Sequence, residues 1–297
     1  MLYADLHTHT TASDGTQPSS ENVRLALKAG LAGIAITDHD TVAGIDEALA
    51  AGTQYDITVI PGVEISTVSE GQDIHVLGYW IDHTNPLLLQ RLSSLRDVRE
   101  QRNMMMLERL NELGLQITME DVLASLQASK KADETIGRPH IADALLKKGY
   151  VASMAEAFER YLGKGAAAYV NPPRIEPLTA IEWIREAGGV PVLAHPGLYN
   201  LDKLIPQLTE VGLAGLEVYH SDHTPEQEKH YRAIAEQLGL IMTGGSDFHG
   251  ERGGVVFHAP VGARKVEMSV VQLLIDAKQT TSKLLFSDKG EDEGAQA

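Results

Sequence analysis

Histidine, aspartate and glutamate recur in this sequence in short clusters that could hold metal ions. They are Asp5-Leu-His7-Thr-His9 with Ser13-Asp14-Gly15, Thr37-Asp38-His39-Asp40, Pro61-Gly62-Val63-Glu64, His75, Ala194-His195-Pro196-Gly197 and Ser246-Asp247-Phe248-His249-Gly250. His7 and His9 are two apart, so in an extended segment both point to one side, and Asp247 and His249 repeat that spacing. Cysteine is absent. That excludes disulfides and thiolate sites and leaves nitrogen and oxygen donors, which suit Mn, Mg, Zn or Fe. One histidine at a strand end is more often structural than ligating, and an isolated HxH or DHD is a weak signal. The set is stronger, because crowding these imidazoles and carboxylates without cations costs desolvation and like-charge repulsion. Bound metals remove that cost.

The elements that must position these groups follow from periodicity. Short apolar, β-branched runs mark strands at 2–6, 33–37, 57–60 (running on toward Glu64), 74–81, 190–194, 215–219 and 240–244. Amphipathic helical segments lie between most of them, at 20–29, 179–187, 201–211 and 225–238, the last opened by Thr224 and Pro225. Strands alternating with helices predict an α/β fold with a parallel sheet, here a distorted seven-stranded (β/α)7 TIM-like barrel. In such a barrel the strand C-termini share one face, so the six clusters converge there.

One stretch breaks the rhythm. Between the fourth and fifth strands the pattern is helical at 86–113, 119–126, 139–147 and 153–161, and it exits through Asn171-Pro-Pro173. We therefore expect residues 1–84 and 171–286 to form the barrel, 85–170 a helical insertion or cap, and 287–297 a disordered acidic tail. Met104, Met105 and Met106 read as core or lid packing. The net charge of −16 argues against tracking along long nucleic acid but not against a small phosphorylated substrate, since bound cations reverse the local field. No apolar run approaches the ~20 residues of a membrane span, and no secretory leader is evident. The expectation is a cytoplasmic protein without a membrane partner.

The set DLHTHT, SDG, TDHD, GVE, IHVLGY, AHPG and SDFH resembles the PHP (polymerase and histidinol phosphatase) family of phosphoesterases. Length, the helical insertion and the segments GRPHIA and EVYH resemble its stand-alone subgroup, whose members act on nucleoside 3′,5′-bisphosphates or as 5′-to-3′ exonucleases on short 5′-phosphorylated RNA. The resemblance implies a trinuclear metal site. His7, His9, Glu64 and Asp247 would hold the first metal, and Glu64 would bridge to a second held with His75 and His195. Asp14, His39 and His249 would hold the third. Hard oxygens mixed with imidazoles favour Mn or Fe, with Zn or Mg also competent. His7, His9, Glu64 and Asp247 would act through a metal-bound hydroxide, since coordination lowers the pKa of water from about 15.7 toward ~7.

Asp5, Asp38 and Asp40 could orient ligating imidazoles, although Asp40 could equally cap a helix beginning near Val42. Arg138 and His140 open a helix in the insertion and could meet a phosphate there or stand on a solvated helix end. Lys164 could reach the same phosphate or serve a loop. His220 and His223 follow the sixth strand; His220 is the candidate general acid and His223 a candidate substrate contact, set against plain surface positions. His83, His230 and His258 have no motif around them. The leading expectation is hydrolysis of phosphate esters of small nucleotides or short 5′-phosphorylated oligonucleotides. Its rivals are a histidinol-phosphatase-like monoesterase, C–N bond hydrolysis on a related metal barrel, and a non-catalytic nucleotide-binding module.

Overall fold

The structure is a computed structural model and describes residues 1–126, 130–252 and 254–287. All seven expected strands form: β1 (Tyr3–Asp5), β2 (Gly33–Ile36), β3 (Thr58–Ser69), β4 (Gln72–Tyr79), β5 (Val190–Leu193), β6 (Gly215–His220) and β7 (Ile241–Gly245). They lie in sequence order around a nearly closed barrel. The seam between β7 and β1 is joined where Leu6 N–H donates to Gly244 O at 3.2 Å and Thr8 bridges Phe248.

The expected all-parallel arrangement needs correction at the fourth strand. β4 runs antiparallel to both β3 and β5. Only Glu70 and Gly71 separate β3 from β4, and both have positive φ, 50° and 71°. A two-residue link with that geometry makes a hairpin, whereas a parallel crossover needs a dozen residues or more. The hairpin is long, pairing residues 62–69 with 72–79. His75, paired with Ser66, therefore reaches the mouth from the descending strand and not from a strand C-terminus.

An eighth strand also joins the sheet. The short β8 (Glu251–Arg252) and β9 (Val255–Val256) form a separate hairpin, and β10 (Val266–Glu267) then pairs antiparallel to β1.

Helix α1 (Ser19–Lys28) follows β1, α2 (Ile45–Tyr55) follows β2, and α3 (Pro86–Glu112) opens the segment between β4 and β5. That segment continues through α4 (Met119–Ser125), α5 (Arg138–Lys147), α6 (Met154–Ala157) and a π-helical turn, Phe158–Leu162. Next come α7 (Pro177–Glu186), α8 (Leu204–Glu210), α9 (Pro225–Leu238) and α10 (Met268–Ser287). Asn85 caps α3 by accepting from Leu87 and Leu88 N–H, with Pro86 at the first helical position. Thr224 and Gln227 form a capping box on α9.

The two ends of α3 are buried in different places. Leu88, Leu92 and Leu95 pack with Ile181, Ile184 and Val76 on the barrel. Met106, Leu107 and Leu110 pack with Ile141, Leu145 and Leu162 in a second apolar cluster. Each fully buried leucine contributes roughly 1.5–3 kcal/mol, so this single helix ties the helical segment to the barrel. Met104 and Met105 are exposed; only Met106 is core. Among the described residues no helix is long and apolar enough to cross a membrane. Of the segment 287–297, expected to be a disordered tail, everything beyond Ser287 lies outside the described residues.

Candidate metal centre

The nine residues expected to ligate are drawn together at the barrel mouth. His7 and His9 leave β1 in extended backbone, held by Thr37 N–H donating to Thr8 O at 3.0 Å. Their Nε2 atoms lie 3.1 Å apart. Glu64 Oε2 is 3.5 Å from the first and 3.2 Å from the second, and Asp247 Oδ1 is 3.3 and 3.1 Å from them. Ligand atoms about 2.0–2.2 Å from one cation sit roughly 3–3.5 Å from each other, so these separations fit a single metal among the four. Close approach of β7 to β1 requires Gly245, where any Cβ would stand 2.3 Å from His7 N.

Glu64 faces two ways. Its Oε1 lies 2.8 Å from His75 Nδ1 and 3.0 Å from His195 Nε2. A third group, Asp14, His39 and His249 with His9, offers ligand atoms all within 4.8 Å of one another. Four buried atoms of this set, Asp14 Oδ1, His39 Nδ1, Glu64 Oε2 and Asp247 Oδ1, make no well-directed hydrogen bond, although His39 Nδ1 and Glu64 Oε2 stand 2.9 Å apart. Orphaned carboxylate oxygens at this depth are costly, and cations would satisfy them. The donor set therefore fits divalent metals. His195 and Asp247 also hold positive φ, 26° and 53°, a strained backbone of the kind found at functional sites.

Burial opposes charge on His7 most strongly, yet Glu217, Asp247 and Glu64 outweigh it and hold its pKa well above the usual histidine range. For His9 burial is likewise the largest effect, and Asp247 and Glu64 overcome it to bring the pKa to about 10. Burial raises Glu64, but His39, His75 and His7 outweigh it, and its pKa lies well below normal. The carboxylates thus favour protons on His7 and His9, where cations compete for the same lone pairs, whereas burial pushes His39, His195 and His249 down.

Glu217 is an important residue that the sequence reading missed. Fully buried on β6, it lies 3.0 and 3.2 Å from His7 Nδ1 through its two oxygens and accepts from His195 N–H at 2.8 Å. Holding a proton on His7 Nδ1 leaves Nε2 as the lone pair aimed at the cluster. The available signal was an acid inside the apolar run Leu216-Glu-Val218; alternation does not carry on from it, because the register shifts between Glu217 and Tyr219.

The three acids expected to orient imidazoles do something else. Asp5 accepts from the backbone N–H groups of His7, Ser246 and Gly262, and burial raises its pKa to about 6. Asp38 accepts from Thr10 N–H, Thr10 Oγ1 and Ser13 Oγ, so it shapes the loop that carries His9 and Asp14. Asp40 neither caps a helix nor touches a ring: it accepts from Ser66 N–H and pairs with Arg99. In each case the carboxylate satisfies loop or strand backbone, or a buried guanidinium, that has no other anion.

The remaining candidates divide. His220 is fully buried, with Nε2 3.3 Å from Asp247 Oδ2 and Nδ1 accepting from Asp222 N–H at 3.1 Å. It adjoins the ligands without lining the cavity above them. His223 uses both nitrogens for structure: Nδ1 donates to Val218 O and Nε2 accepts from Gly197 N–H. His140 is buried and its Nδ1 accepts from Gly137 N–H at 3.0 Å, capping α5; it lines a neighbouring pocket with Lys130 and Arg252. Lys164 is exposed and reaches Gln72 at 3.3 Å.

His83 and His230 make outer ion pairs with Asp46 and Asp202, in keeping with their lack of a motif. His258 corrects that reading. Its Nδ1 lies 2.7 Å from Asp222, its Nε2 lies 3.5 Å from Asp247, and it lines the cavity.

That cavity, about 270 Å³, opens over the cluster and is walled by Arg99, Arg102, Arg138 and Arg174. Arg99 pairs with Asp40, while Arg138 and Arg174 share Asp73. Arg102 is 3% exposed, contacts Asn103 Oδ1 and leaves its Nε unpartnered, with no carboxylate among the described residues in hydrogen-bond contact. Burial first, and then the other three guanidiniums, push its pKa well down. Four guanidiniums set against two carboxylates leave an excess of buried positive charge. Only Arg138 was singled out in the sequence. The spacing of Arg99 and Arg102, three apart on one helix face, was the available signal. Among the described residues no lysine lines this cavity.

Comparison with known proteins agrees with this geometry. A family profile described as PHP domain matches residues 5–182. A 5′-3′ exoribonuclease of Haemophilus influenzae is 38% identical over 250 residues, covering 82% of this chain and 89% of that protein. A 3′,5′-nucleoside bisphosphate phosphatase of Chromobacterium violaceum is 32% identical over 268 residues, covering 87% and 92%. A crystal structure of a candidate metal-dependent phosphoesterase from Bifidobacterium adolescentis superposes with a TM-score of 0.85 at 35% identity, covering 92% of this chain and 96% of that one. With its candidate ligand residues gathered at the mouth of a distorted barrel, the chain belongs to the PHP-domain family of metal-dependent phosphoesterases.

Proposed function

We propose that this protein hydrolyses the 3′-ester of nucleotides that carry a 5′-phosphate, either nucleoside 3′,5′-bisphosphates or short 5′-phosphorylated oligonucleotides. The observation that carries the reading is Arg102, a buried guanidinium with no carboxylate partner among the described residues, in a wall of excess positive charge beside the candidate ligand cluster. Both substrate classes present one ester to be cleaved and a second, dianionic phosphate nearby. Such a dianion would neutralise the wall, and fork-shaped guanidiniums match its oxygens. The relatives named for exoribonuclease and bisphosphate phosphatase activity are consistent with either class.

Three divalent metals, with Mn the preferred ion, would be held by His7, His9, Glu64 and Asp247, by Glu64, His75 and His195, and by Asp14, His39 and His249. Bound there, they supply an activated water at neutral pH and neutralise charge on the phosphoryl oxygens. The chain's own residues do the rest. Glu217 fixes the His7 ring, Asp38 fixes the loop of His9 and Asp14, and the arginines bind and orient the non-reacting phosphate.

The test compares kcat/KM for 5′-phosphorylated and 5′-hydroxyl forms of one dinucleotide, in the wild type and in Arg102→Ala. A preference for the 5′-phosphate that collapses in the variant supports the reading. Equal rates on both forms in the wild type contradict it.

A further inference from the structure

The cavity has a second, chemically different wall. Phe158, Phe257 and Leu198 line it alongside the arginines. Phe158 opens the π-helical turn and Phe257 follows the β8–β9 hairpin. Their ring centroids lie 6.5 Å apart with the planes tilted by 41°. Both pack against the apolar cluster of the helical segment yet remain partly exposed. They are thus held from behind while presenting surface to the cavity. Phe257 also meets two imidazoles of the centre, 6.4 Å from His249 and 5.2 Å from His258 by ring centroid. The aromatic surface begins where the ligand cluster ends.

We infer that the Phe158–Phe257 pair is the platform on which the substrate's nucleobase stacks. The inference rests on the proposed nucleotide chemistry and adds to it a requirement for a base. A planar ring laid on fixed aromatic surface loses little conformational freedom in the protein and displaces water from apolar area. Neither phenylalanine nor Leu198 offers side-chain hydrogen-bond groups to read base edges. Recognition there is tolerant of base identity and follows stacking area, with purines ahead of pyrimidines. The arginine wall and this platform then divide the nucleotide between them, phosphate on one side and base on the other.

The test measures kcat/KM of the Mn-loaded protein for adenosine 3′,5′-bisphosphate and for its abasic tetrahydrofuran analogue bearing both phosphates. The expected preference for the base-bearing substrate is about ten- to hundred-fold. Phe257→Leu, which keeps apolar volume and removes the ring face, should cut that ratio to near one, whereas Phe257→Trp should retain it. A wild-type ratio near one, or a ratio untouched in Phe257→Leu, overturns the platform and leaves the phosphoesterase reading standing. Should neither compound turn over, the proposed function fails, and binding still decides the platform. Adenosine 5′-monophosphate should quench the added fluorescence of Phe257→Trp, and absence of quenching overturns the inference.

Discussion

The floor and the wall of the cavity differ in how they are built. The floor is assembled from barrel loops and strands, where His7, His9, Glu64, His195 and Asp247 are fixed by sheet pairing and buried hydrogen bonds. The arginine wall comes from α3, α5 and the chain just before α7, and its residues pair in part with acids of the barrel, Asp40 and Asp73. The floor thus rests mainly on the barrel, with Lys130 and Thr135 of the helical segment holding only the loop before Asp14, while the wall depends on how the helical segment docks. This separates reaction chemistry from recognition: changes in the floor should remove turnover on every phosphate ester, and changes in the wall should alter which esters are preferred.

The largest effect should come from the floor. Glu64→Gln removes the carboxylate shared by two ligand groups, and turnover should fall about a thousand-fold or more on all substrates. A phosphate-release assay with 5′-phosphorylated and 5′-hydroxyl substrates checks it; a selective loss would break the division. Next is the wall. Arg102→Ala should lower kcat/KM on 5′-phosphorylated substrates about ten- to hundred-fold, as expected for one charged hydrogen-bonding group, with 5′-hydroxyl substrates little changed.

Glu217→Gln should weaken metal binding by about ten-fold, because the ring of His7 loses its anionic partner. Competition with a chelating dye reads that affinity directly.

The smallest effect on turnover should fall behind the wall, at His140. Burial lowers its pKa to about 3, and its Nδ1 accepts a hydrogen bond that protonation there would break. The unfolded chain, with an ordinary histidine pKa near 6.5, binds the proton first as pH falls. Stability from this group is therefore full above about 6.5 and is lost progressively toward pH 3. Replacing it in His140→Gln should reduce the loss between pH 6.5 and 5 by about 1–2 kcal/mol in urea unfolding. Identical pH slopes in the two proteins would contradict the assignment.

The sequence made the floor legible because its donors are rare residue types at strand ends, with Gly or Pro beside them. The seven strands were legible because each lies in a short apolar run, most of them rich in β-branched residues. The direction of β4 was missed although Glu70-Gly71 is too short for a crossover, because periodicity reports a strand but not its sense. Arg99 and Arg102 were missed since an arginine on a helix is ordinarily solvated, and Arg174 since it stands in the chain before α7 with no motif around it. Arg99 is buried where α3 meets Asp40, and Arg174 lies against Asp73. His258 was passed over because Asp222 and Asp247, which give it meaning, are far from it in the chain.

The most direct test of the account counts metal and measures turnover in one preparation. Protein stripped with chelator is reconstituted with Mn, its bound metal is quantified, and phosphate release from adenosine 3′,5′-bisphosphate is followed. The account expects three metals per chain and hydrolysis that chelator abolishes and Mn restores. Folded protein that retains no stoichiometric metal, or hydrolysis indifferent to chelator, would contradict it.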